Sequence, residues 1–232
     1  MTKSLRAELL IVLTLTFGIS GVRAVLNLIN SLASPQRLDE QSVTLNSSQS
    51  SLAWVDMGLQ LCSAAVLFSY GALALFLLAK DRIVPRAHRA RDWLEGAGLA
   101  ALIGIPGLAL YVAAVQLGWS KEVIPGDFAN AWVEIPVSLL KAAANAFAEE
   151  TVVVMWLMTR LRQARWSLPA ALAASSILRG SYHLYQGVSA GFGNIIMGLI
   201  YGYYYHRTGR VWPLVIAHFL IDAIAFVGYS FL

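Results

Sequence analysis

The chain has 232 residues, of which 58% are hydrophobic and 13% charged, with a mean hydropathy of +0.63. A soluble domain of this length carries about 25% charged residues, so the composition excludes an ordinary water-soluble fold and points to an integral membrane protein. The single cysteine, Cys62, excludes a disulfide framework, and the net charge of +4 reflects membrane topology rather than nucleic-acid binding.

Apolar segments of about 20 residues span a bilayer as helix. The first runs over 9–32, behind Lys3 and Arg6. It is long for a signal peptide and lacks a small-residue cleavage site, so it is read as a retained anchor. The polar stretch "SPQRLDEQSVTLNSSQSS" separates it from a second span at 54–79, and the basic stretch "KDRIVPRAHRARDW" precedes a third at 95–118. Further spans are expected at 132–158, 168–189, 192–206 and 211–232. The expected fold is therefore all-α: one membrane-embedded helical bundle over 1–232, with about seven spans (six to eight).

With the N-terminus placed in the cytoplasm, twelve Lys and Arg residues fall inside, among them Lys3, Lys80, Arg91, Arg160 and Arg210. Only Arg37 and Lys121 fall outside. That asymmetry predicts an inner N-terminus and an outer C-terminus. All seven tryptophans lie at or near the expected helix ends, where an aromatic belt belongs. Gly198 and Gly202 have the spacing that lets helix backbones approach closely. The "YGYYY" run at 201–205 is read as an interfacial aromatic cluster, and His88 and His206 as interfacial residues.

Away from the span ends, eight acidic, basic and histidine residues remain: Arg23, Lys141, Glu149, Glu150, Arg179, His183, His218 and Asp222. A charge at mid-bilayer costs about 2.5–3.5 kcal/mol on insertion scales, so such residues face the interior, pair, and mark function. At ~1.5 Å per residue, Glu149 is expected ~14 Å from the inner end of its helix, His218 ~10 Å and Asp222 ~16 Å. That layer suggests one polar cavity reached from the cytoplasm. His218 and Asp222 are four residues apart and share a helix face, as do Arg179 and His183. Lys141, Asn145 and Glu149 form a polar stripe. Glu149 and Glu150 are adjacent, so a regular helix would point them ~100° apart and give them different jobs.

A carboxylate in an apolar site is a usable general base, and histidine supplies a proton carrier or an oxyanion donor. Such a set around a water fits hydrolysis of an acyl bond. No HExxH helix is present, and the G-x-S-x-G spacing at 187–191 does not follow an expected strand, so it is not read as a nucleophile elbow. Glu149, His183, His218 and Asp222 could also hold Zn²⁺, and the residue types alone do not choose between a metal and a bare water.

Three stretches, "AEE" at 148–150, "SYHLYQG" at 181–187 and "WPLVIAHFLID" at 212–222, resemble the motifs of the CPBP family of intramembrane proteases. That family includes CAAX prenyl endopeptidases and bacterial bacteriocin-processing or immunity proteins, and the chain resembles its bacterial type. The resemblance covers about 132–227, a CPBP-like core behind N-terminal helices over 1–131. It implies that Glu149 activates a water with His183, and that His218 beside Asp222 stabilises the oxyanion. Glu150 would be a supporting carboxylate, with Arg179 and Asn145 alongside.

Three positions depart from the family pattern. Val154 stands where an arginine is usual, Arg179 where a phenylalanine is usual, and Asp222 where the eukaryotic enzymes carry asparagine. The first two departures predict that Arg179 replaces the missing arginine by pairing with Glu150. The resulting expectation is an intramembrane endopeptidase acting on a membrane-associated peptide or protein toward the cytoplasmic side of the cell membrane. The alternatives are a non-proteolytic scaffold or immunity-type binder on the same fold, and a proton-relaying transporter. The transporter is disfavoured because no paired half-sequences are visible. The expected partners are the substrate and the bilayer, without nucleic acid.

Overall fold

A computed structural model describes residues 2–124 and 131–227. The end of the last expected segment, 228–232, lies outside the described residues. Helix α1 (Lys3–Leu15) begins at an N-cap, Thr2, whose hydroxyl accepts from Leu5 N–H. Helix α2 (Phe17–Leu32) follows at a 51° bend. The expected first span is therefore broken. At the break Thr16 turns its hydroxyl back onto the Val12 carbonyl at 2.7 Å, a contact that bends helices. Helices α3 (Ala53–Ala79) and α4 (Arg91–Gln116) follow.

Next come α5 (Ala131–Glu149), a π-helical stretch over Glu150–Trp156, and α6 (Leu157–Gln163), three parts of one rod. The rod outruns the expected 132–158 span because Arg160 is buried rather than solvated. Its guanidinium donates to Glu8 of α1, to Asp81, and to the Leu77 carbonyl at the end of α3. Helix α7 (Leu168–His183) starts at Ser167, whose hydroxyl accepts from Ala170 N–H, with Pro169 in the first turn. After a 3₁₀ turn (Leu184–Gln186) come α8 (Val188–Thr208) and α9 (Trp212–Phe226). Gly209, at φ 63°, ends α8 in the left-handed conformation that suits glycine.

Two three-residue strands, β1 (Ser42–Thr44) and β2 (Glu122–Ile124), pair in parallel. They join the two long connections that the sequence pattern predicts as loops, and the described fold is otherwise all-helical. Among the described residues α3 and α4 are each long and apolar enough to cross a membrane, and α1 with α2 qualifies as one bent span. Large apolar side chains on these helices, such as Leu26, Phe76 and Ile105, point outward. A soluble protein would not expose so continuous a surface.

Two bundle ends are distinct. One carries β1, β2 and the turn after α7. The other carries α6, the start of α4 and the α8–α9 connection, where Arg210 grips Asp92 through two nitrogens at 2.6–2.9 Å. The core between them holds α5, the π stretch and α7. Helix α8 lies close to α7 because Gly198 faces Ser176; a Cβ there would come 2.8 Å from the Ser176 Cα. The small-residue spacing on α8 thus works in packing.

Candidate active site

Three elements supply the polar side chains in this core. The rod brings Asn145, Glu149 and Glu150; α7 brings Ser175, Arg179, Tyr182 and His183; α9 brings His218 and Asp222. His183 is the last residue of α7, so its position depends on the turn that follows. That turn is fixed from outside: Lys121 N–H donates to the Gln186 carbonyl and Val188 N–H to that of Trp119. Gly187 between them adopts φ 128°, and a side chain on it would strike the Ser120 backbone at 2.8 Å.

Glu149 and Glu150 are both buried, the second completely. Contrary to the helical-wheel expectation, one guanidinium reaches both. Arg179 Nη2 donates to Glu150 Oε1 at 2.6 Å, while Nη1 lies 3.6 Å from Glu149 Oε2. The predicted Arg179–Glu150 ion pair is therefore present, and Arg179 extends it to Glu149. Tyr201 packs against the guanidinium, 5.6 Å from ring centre to Cζ. This corrects the interfacial reading of "YGYYY" for that residue, because Tyr201 is fully buried. Trp156 is also fully buried and donates to Glu8 at 2.9 Å, so it does not belong to an aromatic belt.

His218 Nδ1 lies 2.8 Å from Glu150 Oε1 and its Nε2 lies 3.6 Å from Asp222 Oδ1. Asn145 donates to Asp222 Oδ2 at 3.5 Å. His183 Nε2 is 3.8 Å from Glu149 Oε2 and has no hydrogen-bond partner among the described residues. All seven site residues singled out in the sequence thus lie in one connected cluster. The stripe along α5 diverges, however: Lys141 bonds Asn46 and Gln60 of other elements instead of facing the cluster.

Sequence reasoning missed two members. Tyr182 donates its phenolic hydrogen to Glu149 Oε2 at 2.6 Å, its ring held between Phe17 and His183. It stood in plain view beside His183, but neighbours on a regular helix are not expected to share a target. Ser175 donates to the Val153 carbonyl at 2.7 Å inside the π stretch. Nothing in the residue pattern signals that contact.

The expected depth also changes. Because α6 continues to Gln163, Glu149 lies fourteen residues, ~21 Å, from the basic end of its rod rather than ~14 Å. The partly exposed members of the cluster are Asn145, His183 and Asp222, the last two with side chains 18% and 16% accessible. Glu150 to Leu157, toward the basic end, are buried.

As placed, the four candidate metal ligands do not converge. Among the described residues no three His, Cys, Asp or Glu side chains gather as a metal-holding group. A guanidinium stands where a cation between the two glutamates would sit, and the two histidines serve different carboxylates. The arrangement fits a bound water better than zinc. A carboxylate and an unpartnered imidazole nitrogen 3.8 Å apart can be bridged by one water.

Residues 131–224 match the model of a protein family described as type II CAAX prenyl endopeptidase, Rce1-like. Neither the curated proteins nor the solved structures give a match.

Proposed function

We propose, from the match of residues 131–224 to the Rce1-like family of type II CAAX prenyl endopeptidases, that this chain hydrolyses a peptide bond of a membrane-associated substrate with a water activated by Glu149. The observation that carries the reading is the Glu149–His183 pair, whose separation suits one shared water. In the proposed step Glu149 takes a proton from that water as its oxygen attacks the substrate carbonyl carbon. The negative charge moves to the carbonyl oxygen. With both ring nitrogens carrying hydrogen, His218 would donate from Nδ1 to Glu150, 2.8 Å away, and present Nε2 to the developing oxyanion. Glu149 then passes its proton to the amide nitrogen, the C–N bond breaks, and a carboxylate and an amine leave. Tyr182 holds Glu149 in place. Asn145 holds Asp222, which orients His218.

The full-length protein, reconstituted in sealed vesicles, would be offered two fluorogenic peptides. One ends in a prenylated CAAX sequence and the other is an unprenylated membrane-anchored peptide. Cleavage by the wild type is expected to fall by about 10²–10⁴-fold in Glu149→Gln and His183→Ala, the range for losing a positioned acid or base. Full cleavage by both variants overturns the Glu149–His183 mechanism, and no cleavage of either peptide by the wild type leaves the scaffold alternative. A chelator is expected to leave the rate unchanged; loss restored by zinc would replace the bare-water version with a metal one.

The finer topology proposed is seven crossings: α1–α2, α3, α4, α5–α6, α7, α8 and α9, with the arginine-rich end and the N-terminus in the cytoplasm. The whole chain acts as one membrane-embedded unit whose catalytic core spans 132–227. The charge asymmetry supports this orientation, with the substrate served from the cytoplasmic side. A second reading, access from the opposite end, is favoured by one observation: His183 and Asp222 are accessible while Glu150 to Leu157 are closed off.

A further inference from the structure

A regular α-helix turns ~100° per residue, yet Glu149 and Glu150, adjacent in the chain, both reach Arg179. The rod changes its winding at this point. Over Glu150–Trp156 the helix widens, and Leu157 N–H donates to the Val152 carbonyl five residues back. A π turn packs more residues into each turn, so successive side chains diverge less. Such turns are rare and cluster at functional sites.

The widened turn is braced by hydroxyls. Ser175 of α7, 1% exposed, donates to the Val153 carbonyl. Thr151 donates to Phe147 at 2.6 Å and also lies 3.3 Å from the Ala148 carbonyl. Ser175 is one helical turn before Arg179 and two before His183 on α7. One side of one helix therefore holds the π turn, the guanidinium and the imidazole in a fixed relation. Ser175 touches no reacting atom.

We propose that the π turn is the device that sets both glutamates on one guanidinium, and that Ser175, by bracing the Val153 carbonyl, is a positioning residue for the Glu149 base. This rests on the reading of Glu149 as the base. The claim about the turn itself does not need catalysis, so the two can be tested apart.

Two substitutions separate the hydroxyl from the bulk: Ser175→Ala removes the donor, and Ser175→Thr keeps it. One hydrogen bond contributes about 1 kcal/mol net, so a base held less well should lower kcat about five- to tenfold in Ser175→Ala. KM should stay within about twofold, because ground-state binding is untouched, and Ser175→Thr should recover most of the loss. A merely structural serine would lower the melting midpoint and leave kcat per folded molecule unchanged, which overturns the proposal.

The second arm reads geometry without turnover. Thermal double-mutant cycles would pair Arg179→Met with Glu149→Gln and with Glu150→Gln, in the wild-type and Ser175→Ala backgrounds. Loss of the Arg179–Glu149 coupling in Ser175→Ala, with the Arg179–Glu150 coupling retained, is the expected result. Equal coupling to Glu149 in both backgrounds sinks the proposal even if peptide is cut. The expected coupling pattern in a protein that cuts neither peptide keeps the positioning role and discards the protease reading.

Discussion

Arg179 is the residue on which the site balances. It is fully buried and faces two carboxylates, one at hydrogen-bond distance and one at 3.6 Å. Removing one partner of a buried ion pair leaves an uncompensated charge and costs about 3–5 kcal/mol. Arg179→Met should therefore destabilise by that amount, measured by denaturant unfolding in detergent. Arg179→Lys should recover only part of it, because an ammonium is a point charge and cannot offer two nitrogens in a planar fork. Adding Glu150→Gln to Arg179→Met should cost less than the sum of the singles, since the double variant no longer buries that unpaired carboxylate. Additive losses would show that the two side chains do not act as a pair. The pairing was legible because Val154 lacks the usual arginine while Arg179 lies on a neighbouring helix. The involvement of Glu149 was not, because a helical wheel drawn for 3.6 residues per turn separates adjacent residues by construction. Tyr182 was hidden by the same assumption.

At the scale of elements, the apolar runs recovered the order and approximate length of most helices but misplaced the end of the rod. Arg160 looked like one more cytoplasmic arginine. Tertiary contacts decide otherwise: Glu8 from the first helix and Asp81 from beyond the third converge on it, partners 152 and 79 residues away in the chain. No local pattern carries such information. The same limit hid the β1–β2 pairing, whose partners stand 80 positions apart in register. The Arg160 knot has a measurable signature. The hydrogen bond and charge of Arg160 hold the Asp81 carboxyl below its ordinary value of 3.8. A carboxylate depressed in the folded state contributes stability that is fully present above its unfolded value and lost as pH falls through the folded one. The melting midpoint should therefore drop on acidification below about pH 4, and the drop should be shallower in Asp81→Asn. Asp81 is about half exposed, so the difference should shrink further in high salt. Identical acid profiles for the two proteins would mean that Asp81 does not contribute to holding the rod.

For the molecule as a whole, the charge asymmetry and the accessibility of the site pull in different directions. Arginines gather at the end with α6 and the α8–α9 connection, which the positive-inside rule assigns to the cytoplasm. His183 and Asp222 keep their accessible surface near the end of α7, beside the turn clasped by residues 119–121. Sidedness separates the readings. In a Cys62→Ser background, Ser48→Cys lies in the connection before α3 and Arg207→Cys at the end of α8. A maleimide that cannot cross membranes, applied to intact cells, should label Ser48→Cys at once and Arg207→Cys only after permeabilisation. The reverse pattern would turn the bundle over. Peptide delivered to one face of vesicles with the orientation so fixed then reports the mouth of the site. Cleavage confined to the arginine-rich face supports cytoplasmic access. Cleavage confined to the other face would mean that substrate enters over the α7–α8 turn. In that case Gly187→Ala, which drives a side chain into Ser120, should raise KM more than it lowers the melting midpoint, because the turn beside His183 would then be part of the entrance.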